Sequence, residues 1–298
     1  MPRLFCFGLG YSALRIAERL LGEGWAVAGT CRSPAKLAGL AGRGIEAHPF
    51  DRSHPVDAAA LAGTTHLLSS VPPDADGDPV LDVHGAEIAA LPGLAWAGYL
   101  SSTSVYGDTG GEWVDESAPL NPADDHARSR QAAEEGWLSL FRTRGVPVHL
   151  FRLSAIYGPG RSAVDQVRAG RARRLHKPGQ VFNRIHVEDI ARTVRASMDR
   201  PDPGAAYNLA DDHPTPGAEV VEYACTLLGV EPPPLVPVEE AGLSPTALGF
   251  WAASRRVANR RIKEELGVTL AYPSYREGLA AQVASERIAG KIAPASPL

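Results

Sequence analysis

The fold is decided near the start of the 298-residue chain by Leu4-Phe5-Cys6-Phe7-Gly8-Leu9-Gly10-Tyr11-Ser12-Ala13. Its first four residues are apolar, as in a strand that is buried on both faces of a parallel sheet. Apolar residues at helical spacing follow from 14 to 21. A strand, a glycine turn and a helix in this order predict a Rossmann-like fold, an α/β doubly wound parallel sheet that binds a dinucleotide.

Each small residue of the turn has a physical role in that interpretation. Gly8 permits the tight turn, and Gly10 lets the backbone approach a pyrophosphate. Ala13, in place of a third glycine, lets the helix pack close to the strand. The helix begins at Tyr11 and Ser12, where free N–H groups and the positive end of the helix dipole favour phosphate. We expect these five residues to bind the cofactor; the alternative is a glycine turn without a ligand.

The end of the second predicted strand, residues 25–30, bears on the choice between NAD and NADP. An NAD site usually has a carboxylate about 20 residues beyond the glycines, where it accepts from the ribose 2′-hydroxyl. This chain has Arg32 and Ser33 there and no Asp or Glu. An arginine would pair with a 2′-phosphate, so the sequence predicts NADP as the cofactor, with NAD as the other possibility. In the alternative interpretation Arg32 only begins the next helix in water.

Three further strands are predicted at 45–50, 65–71 and 95–100. In an open parallel sheet the ligand lies at the carboxyl ends of the strands. Asp51 ends the first of these strands, and we expect it to contact the adenine end of the cofactor. Ser70 lies near the end of the second, and we expect it beside the cofactor as well.

Composition excludes several classes of protein. The chain is 44% hydrophobic and 21% charged, and 30 Lys and Arg against 34 Asp and Glu give a net charge of −4. A nucleic-acid-binding protein is typically basic, so nucleic acid is not an expected partner. No apolar run approaches the ~18 residues of a membrane span. Three scattered cysteines without a Cys-x-x-Cys pair favour a reducing compartment and no metal site. We expect a cytoplasmic protein with no membrane partner.

Several motifs together resemble one superfamily. They are the N-terminal Gly-x-Gly-x-x-Ala, Ser-Ser-x-x-Val-Tyr-Gly at 101–107, Arg-x-x-x-x-Tyr-Gly-Pro-Gly at 152–160 and Arg-Ile-His-Val-Glu-Asp-Ile-Ala at 184–191. The chain resembles the extended short-chain dehydrogenase/reductase superfamily, in its NAD-dependent epimerase/dehydratase group. Gly-Tyr at 10–11, Ser-Ser-Val-Pro-Pro at 69–73, Gly-Glu-Trp-Val-Asp-Glu at 111–116 and Arg-Ile-His-Val-Glu-Asp resemble in particular an atypical branch of predicted nucleoside-diphosphate-sugar epimerases that lacks the superfamily's Tyr-x-x-x-Lys pair. The resemblance implies a small-molecule substrate such as a nucleotide sugar, or a similar carbonyl or hydroxyl compound. It also implies a Rossmann-like domain at 1–154 and a mixed part at 155–298, with a substrate lobe and some segments that return to the sheet.

The resemblance implies a catalytic serine, and it also shows that this chain lacks a pair of residues that the superfamily normally uses. By analogy Ser102 bonds the reacting oxygen, with Thr103 beside it. The superfamily normally uses a Tyr-x-x-x-Lys pair for proton transfer, and this chain has none. Aligned on Ala133-Glu134, His126 takes the tyrosine position and Arg130 the lysine position.

Three interpretations remain open for this altered site. In the first, His126 beside Arg130 acts as acid and base, or Tyr106 or Tyr157 is recruited. In the second, the protein binds NADP(H) without catalysis, as a regulatory or redox-sensing protein. In the third, an unrelated activity uses the fold. His126 is equally consistent with a solvated helix start that is capped by Asp124.

The second half of the chain offers the substrate contacts. Tyr106 and Tyr157 are candidates, and Asn183 and Arg184 could meet a substrate phosphate, since arginine forms a bidentate fork. The arginines of 254–261 either face a diphosphate or form the solvated side of a helix. Relatives commonly pair through helices near 80–91 and 124–144, which leaves a monomer or a homodimer. Residues 292–298 are expected to fray.

Overall fold

A computed structural model describes residues 1–289 of the chain, so the expected frayed end at 292–298 lies outside the described residues. The strands in chain order are β1 (Arg3–Phe7), β2 (Ala26–Cys31), β3 (Glu46–Pro49), β4 (His66–Ser69), β5 (Trp96–Ser102), β6 (Trp113–Val114), β7 (Val148–Leu153), β8 (Ala155–Tyr157), β9 (Arg174–His176), β10 (Arg184–His186), β11 (Ala206–Leu209), β12 (Leu235–Pro237) and β13 (Arg256–Val257).

The α-helices in chain order are α1 (Tyr11–Gly22), α2 (Pro34–Ala41), α3 (Pro79–Ala89), α4 (Asp125–Arg144), α5 (Ala163–Arg168), α6 (Val187–Asp199), α7 (Gly217–Leu228), α8 (Pro245–Ala252), α9 (Arg260–Glu264) and α10 (Tyr275–Ile288). Short 3₁₀ helices span Ala58–Leu61, Thr103–Tyr106 and Val238–Glu240. None of the helices within residues 1–289 is long and apolar enough to cross a membrane.

The central sheet has seven parallel strands in the order β11-β7-β5-β4-β1-β2-β3. From β1 the chain first moves outward through β2 and β3, then crosses back to β4 on the other side. This reversal opens a crevice outside the carboxyl ends of β1 and β4, the usual ligand site of such sheets. The predicted α/β doubly wound parallel sheet is confirmed.

Helices cover both faces of the sheet, and β1 shows why its sequence is continuously apolar. Leu4 and Cys6 pack into one core, with α1 and α6 on that side. Phe5 and Phe7 pack into the other, which holds Trp137 of α4. These four apolar side chains of β1 are fully buried. Alternate side chains of β1 enter the cores on opposite faces of the sheet. Every position is therefore apolar, as expected for a central parallel strand.

Residues after β7 build a lobe and also return to the sheet. The lobe contains the parallel pairs β8–β10 and β9–β12, and α5, α7 and α10 pack around a small core of their own. The strand β11 returns to the edge of the central sheet beside β7. The lobe begins directly after the carboxyl end of β7, where β8 starts at Ala155.

A single helix across 254–261, one of the two interpretations of its arginines, is wrong. Arg256 and Val257 form a strand that pairs with Trp113 and Val114, and α9 begins only at Arg260. Val257 is 1% exposed, so burial of this side chain and pairing with β6 outweigh the local helical pattern.

Candidate functional site

The glycine turn after β1 is fixed from two sides. Gly8 has φ +83°, a conformation that favours glycine. A Cβ there would lie 3.0 Å from Ser70 Oγ. The Gly8 N–H donates to Thr30 Oγ1 at 2.8 Å, and the Ser70 hydroxyl donates to the Gly8 carbonyl. Ser70 therefore supports the turn from the end of β4, next to the expected cofactor site.

The N-terminus of α1 is open. Gly10 is its N-cap, and no side chain caps the helix there. A Cβ on Gly10 would meet nothing within 4 Å, whereas Ser12 and Ala13 are buried against the sheet. The free N–H groups and the space beside Gly10 fit the pyrophosphate of a dinucleotide.

Tyr11 connects this helix start to the lobe. Its hydroxyl donates to the Pro159 carbonyl oxygen at 3.1 Å, and the Arg161 guanidinium carbon lies 5.8 Å from the Tyr11 ring centroid. The loop after β8 thus packs directly on the first residue of α1.

Arg32 and Ser33 lie where β2 ends and α2 begins. The Arg32 side chain is exposed, and it makes no hydrogen bond or ion pair with any other residue in the range 1–289. Ser33 is the N-cap of α2, yet its hydroxyl caps no N–H group. Both side chains therefore have polar groups available to a ribose 2′-phosphate.

The Asp51 carboxylate forms hydrogen bonds with the backbone of the turn that follows it. Its Oδ1 accepts from the N–H groups of Ser53 at 2.8 Å and His54 at 3.0 Å. The His54 imidazole, with Nδ1 2.9 Å from Oδ1, holds the pKa of the Asp51 carboxyl below its usual value. Contact between Asp51 and the adenine end of a cofactor stays a prediction.

The three hydroxyls at the end of β5 have different surroundings. The Ser101 hydroxyl donates to Glu134 Oε1 at 2.5 Å, and Thr103 Oγ1 is buried, 3.4 Å from the Leu153 carbonyl oxygen. Ser102 is the half-buried N-cap of the following 3₁₀ helix, and its Oγ accepts from the Ser104 N–H at 3.1 Å. The Ser102 proton remains free to be donated, so Ser102 is the best placed of the three to bond a substrate oxygen.

The two residues at the Tyr and Lys positions lie four apart on α4 and have different surroundings. Arg130 Nη1 donates to the Tyr99 hydroxyl at 3.2 Å and to the Leu100 carbonyl oxygen at 3.1 Å, so its guanidinium lies against β5. His126 is exposed in the first turn of α4 and contacts no polar side-chain group among the described residues. Asp124 caps this helix, as the sequence predicts, by accepting from the Ala127 N–H at 2.7 Å.

Tyr106 lies in the core, where its hydroxyl both donates and accepts a hydrogen bond within the protein. It donates to Asn208 Oδ1 at 2.7 Å and accepts from Arg152 Nη1 at 2.8 Å. Burial raises its pKa, and its side chain is 1% exposed. The structure thus places Tyr106 in a buried network rather than in the crevice, because Arg152 and Asn208 need hydrogen-bond partners inside the sheet.

The side-chain amide of Asn183 also makes its hydrogen bonds within the protein. Its Nδ2 donates to the Arg255 carbonyl oxygen at 2.9 Å, and its Oδ1 accepts from the Val257 N–H at 2.8 Å. These bonds hold β13 against the lobe. The predicted phosphate contact of Asn183 would require them to break.

A cavity of about 320 Å³ lies inside the lobe, and Tyr157 and Arg184 both line it. Tyr157 donates to the Ser274 carbonyl oxygen at 3.0 Å. Arg184 Nη1 donates to the Phe182 and Thr215 carbonyl oxygens, both at 3.0 Å. The wall also carries three arginines that sequence reasoning did not assign to the site: Arg161, Arg171 and Arg173. Arg171 and Arg173 belong to a short basic stretch of the sequence with Arg174 and Lys177, whereas Arg161 directly follows Tyr-Gly-Pro-Gly.

A metal centre finds no support in the described part of the chain. Within residues 1–289 no three His, Cys, Asp or Glu side chains converge in a way that could hold a metal ion.

The fold and the glycine turn define a Rossmann-type α/β protein. The model of the NAD dependent epimerase/dehydratase family matches residues 88–210. A solved structure from Silicibacter pomeroyi DSS, a conserved protein of unknown function, is 46% identical with a TM-score of 0.88 and covers 96% of this chain and 99% of its own. Residues 88–210 of the chain thus carry the match to the NAD dependent epimerase/dehydratase family.

Two more distant relatives have the same overall length. Protein YeeZ of Escherichia coli (strain K12) is 27% identical over 285 residues, which cover 92% of this chain and 97% of that protein. The dTDP-glucose 4,6-dehydratase of Bacillus anthracis, solved in complex with NAD, is 18% identical with a TM-score of 0.75 and covers 97% of both chains. The likeness to the dehydratase concerns the fold.

Proposed function

We propose that this protein is an NADP-dependent oxidoreductase or epimerase that acts on a nucleotide sugar or a similar phosphorylated carbonyl or hydroxyl compound. The observation that carries the proposal is the lobe cavity, whose wall brings together Arg161, Arg171, Arg173 and Arg184. Guanidinium groups bind phosphate oxygens through paired hydrogen bonds. A dehydratase of the same fold is named for a nucleotide-sugar substrate.

The proposed cofactor site uses the open N-terminus of α1. Gly10 leaves space for the pyrophosphate, Ser70 holds the turn, and Arg32 with Ser33 meets the 2′-phosphate. A bound nicotinamide cofactor supplies hydride transfer. The absence of a carboxylate near Arg32 supports NADP over NAD.

The chain's own residues position the substrate. Ser102 donates a hydrogen bond to the reacting oxygen, and the fixed charge of Arg130 at the end of β5 favours negative charge that develops there. Proton transfer falls to His126, whose exposed imidazole is free to approach the crevice. The lobe arginines hold the phosphate end, so that the sugar points toward Ser102.

One observation favours a second candidate, a non-catalytic NADP(H)-binding regulator. Arg130 Nη1 is already bonded to Tyr99 and Leu100, and His126 lies in solvent with no partner in the described chain to orient it. An acid and base that is not oriented contributes little to catalysis. Such a protein would bind NADPH and use the lobe to sense a ligand.

Three buried cysteines, Cys6, Cys31 and Cys225, are free thiols. They support the proposed cytoplasmic location, because free thiols persist in reducing compartments.

A binding experiment tests the substrate class. UDP-glucose and dTDP-glucose are titrated calorimetrically into the protein with saturating NADPH present. We expect binding of at least one of them, and a loss of roughly tenfold or more in Arg171→Ala, since one charge-assisted contact is worth about 1.5–3 kcal/mol. Arg142→Ala, on the exposed face of α4, is the matched control and should bind normally. Binding that is equal in all three proteins would contradict the assignment of the cavity.

A further inference from the structure

Beneath the lobe cavity lies a buried acid that the proposed mechanism does not use. Asp211 is 2% exposed and follows β11. Its Oδ1 accepts a single 3.2 Å bond from the His213 N–H, and its Oδ2 is buried without a partner among the described residues. A buried carboxylate with so few hydrogen bonds is costly in its charged form. Burial accordingly raises the pKa of Asp211 to about 7.

Asp211 is joined to the cavity through Arg184. The Asp211 N–H donates to the Arg184 carbonyl oxygen at 2.6 Å, and Asp211 is the acid with the largest electrostatic effect on the Arg184 side chain. Arg184 lines the cavity and has no carboxylate within ion-pair distance in the described structure. Its guanidinium is therefore a cation that faces the cavity, with an acid behind it that is too far for a direct bond.

Tyr275 adds a second sign that the cavity receives a polar ligand. Tyr275 lines the same cavity and is 1% exposed, and its hydroxyl has no hydrogen-bond partner within residues 1–289. A buried hydroxyl without a partner usually marks a bound water or ligand.

We propose that the lobe cavity takes up an anionic phosphate group together with a proton, which is held on Asp211 behind Arg184. This inference rests on the proposed function and adds a regulation of the same site. While Asp211 is ionised, its negative charge opposes the incoming anion and partly neutralises Arg184. When Asp211 takes a proton from solvent, the full charge of Arg184 acts on the phosphate. Asp211 is thus a positioning residue that acts through Arg184.

Other charged and titratable groups surround this pair. Asp212 lies beside Asp211 on the same loop, and Glu277 of α10 faces it. Glu219 of α7 interacts electrostatically with Arg184. The charges of Asp211 and Arg184 both affect Tyr157 of β8. His213 contacts Asp211 through its backbone N–H. A test must separate these groups from Asp211.

The test measures binding of UDP-glucose to the full chain, with NADPH present, between about pH 6 and pH 8.5. The pyrophosphate diester of this probe keeps its charge over that range. We expect the affinity of the native protein to fall about tenfold as the pH rises, which corresponds to a one-unit change in the pKa of Asp211. In Asp211→Asn, which mimics the protonated acid, the affinity should stay high at every pH.

Two control variants test whether the pH dependence of the affinity comes from Asp211. Asp212→Asn should keep the pH dependence, since the Asp212 carboxylate is bonded to Asn259 and Lys263. His213→Gln should keep it as well. A flat profile in the native protein, or an unchanged slope in Asp211→Asn, overturns the inference while leaving the proposed function intact. No nucleotide-sugar binding at any pH would overturn both.

A second measurement needs no variant. Calorimetry in two buffers of different ionisation enthalpy reports proton uptake on binding. Near pH 7.5 the native protein should take up a fraction of one proton per UDP-glucose bound. Zero uptake, or release of protons, overturns the inference even where Asp211→Asn fails to fold.

Discussion

Arg152 and Glu134 form an ion pair in the core, with Nη2 and Oε2 2.8 Å apart and both side chains less than one-tenth exposed. The pair joins β7 to α4. Through the Ser101 hydroxyl on Glu134 and the Tyr106 hydroxyl on Arg152, it also holds both ends of the segment that contains Ser102. The candidate catalytic serine is thus positioned by a buried network in addition to its own bond with Ser104.

Removal of one partner of this pair should strongly destabilise the protein. Arg152→Met leaves the Glu134 carboxylate buried without its cation, which costs about 3–5 kcal/mol of the free energy of unfolding. Urea denaturation measures the change. The control is Arg142→Met, which breaks an exposed pair with Glu135 and should cost less than about 1 kcal/mol. Equal losses in the two variants would show that the buried network does not support the fold.

Gly10→Val should abolish cofactor binding without unfolding the protein. A side chain at this position meets nothing within 4 Å in the protein but takes the space that the pyrophosphate needs. We expect NADPH affinity to fall at least tenfold, about 1.4 kcal/mol, in a fluorescence titration. Gly39→Val, in α2, where a Cβ also meets nothing, is the control for binding. Normal NADPH affinity in Gly10→Val would place the cofactor elsewhere.

Arg32→Ala should remove the preference for NADPH over NADH. In the proposed site the exposed guanidinium pairs with the 2′-phosphate, and such charge-assisted contacts contribute about 1.5–3 kcal/mol. NADPH affinity should therefore fall at least roughly tenfold while NADH affinity is unchanged. Lys36→Ala, on the nearby α2, should keep the preference. Equal binding of both cofactors by the native protein would contradict the proposed role of Arg32.

Buried histidines should make the protein sensitive to mild acid. His149 is fully buried, and burial lowers its pKa to about 4, against about 6.5 in an unfolded chain. Between these values the unfolded state binds the proton and the folded state does not. The free energy of unfolding therefore falls as the pH drops, by about 1.4 kcal/mol per pH unit for one such group.

Comparison of His149→Gln with the native protein isolates this contribution. The variant should show a shallower loss of stability between about pH 6.5 and pH 4. His126→Gln, an exposed position on α4, should follow the native curve. A native-like slope in His149→Gln would mean that this histidine is not held neutral in the folded state.

The sequence predicted the central sheet well because local patterns determine it. Leu4 to Phe7 is apolar at every position, and the structure buries every side chain. Gly8 follows directly and has the positive φ that the tight turn into α1 requires. The helix α7 (Gly217–Leu228) ends directly before Gly229, because apolar spacing and a following glycine define such a helix end locally.

The candidate site was harder to predict because it depends on distant contacts. Nothing in the local sequence shows that Tyr106 bonds Arg152 and Asn208, or that Asn183 holds Val257. An arginine inside the apolar strand β7 was a usable signal, since a charge in a central strand must have a buried partner. Asp211 gave no such signal, because its neighbours suggest an ordinary turn.

The most direct test of the central claim is turnover. The purified protein is incubated with a panel of nucleotide sugars and carbonyl compounds, in one series with NADPH and in a parallel series with NADP⁺, which accepts the hydride that an epimerase removes. The products are identified by proton NMR, which detects epimerisation as well as reduction. We predict a new sugar or alcohol from at least one compound, with the yield reduced in Ser102→Ala. Tight NADPH binding with no product from any compound would contradict the proposed catalysis and leave the non-catalytic regulator.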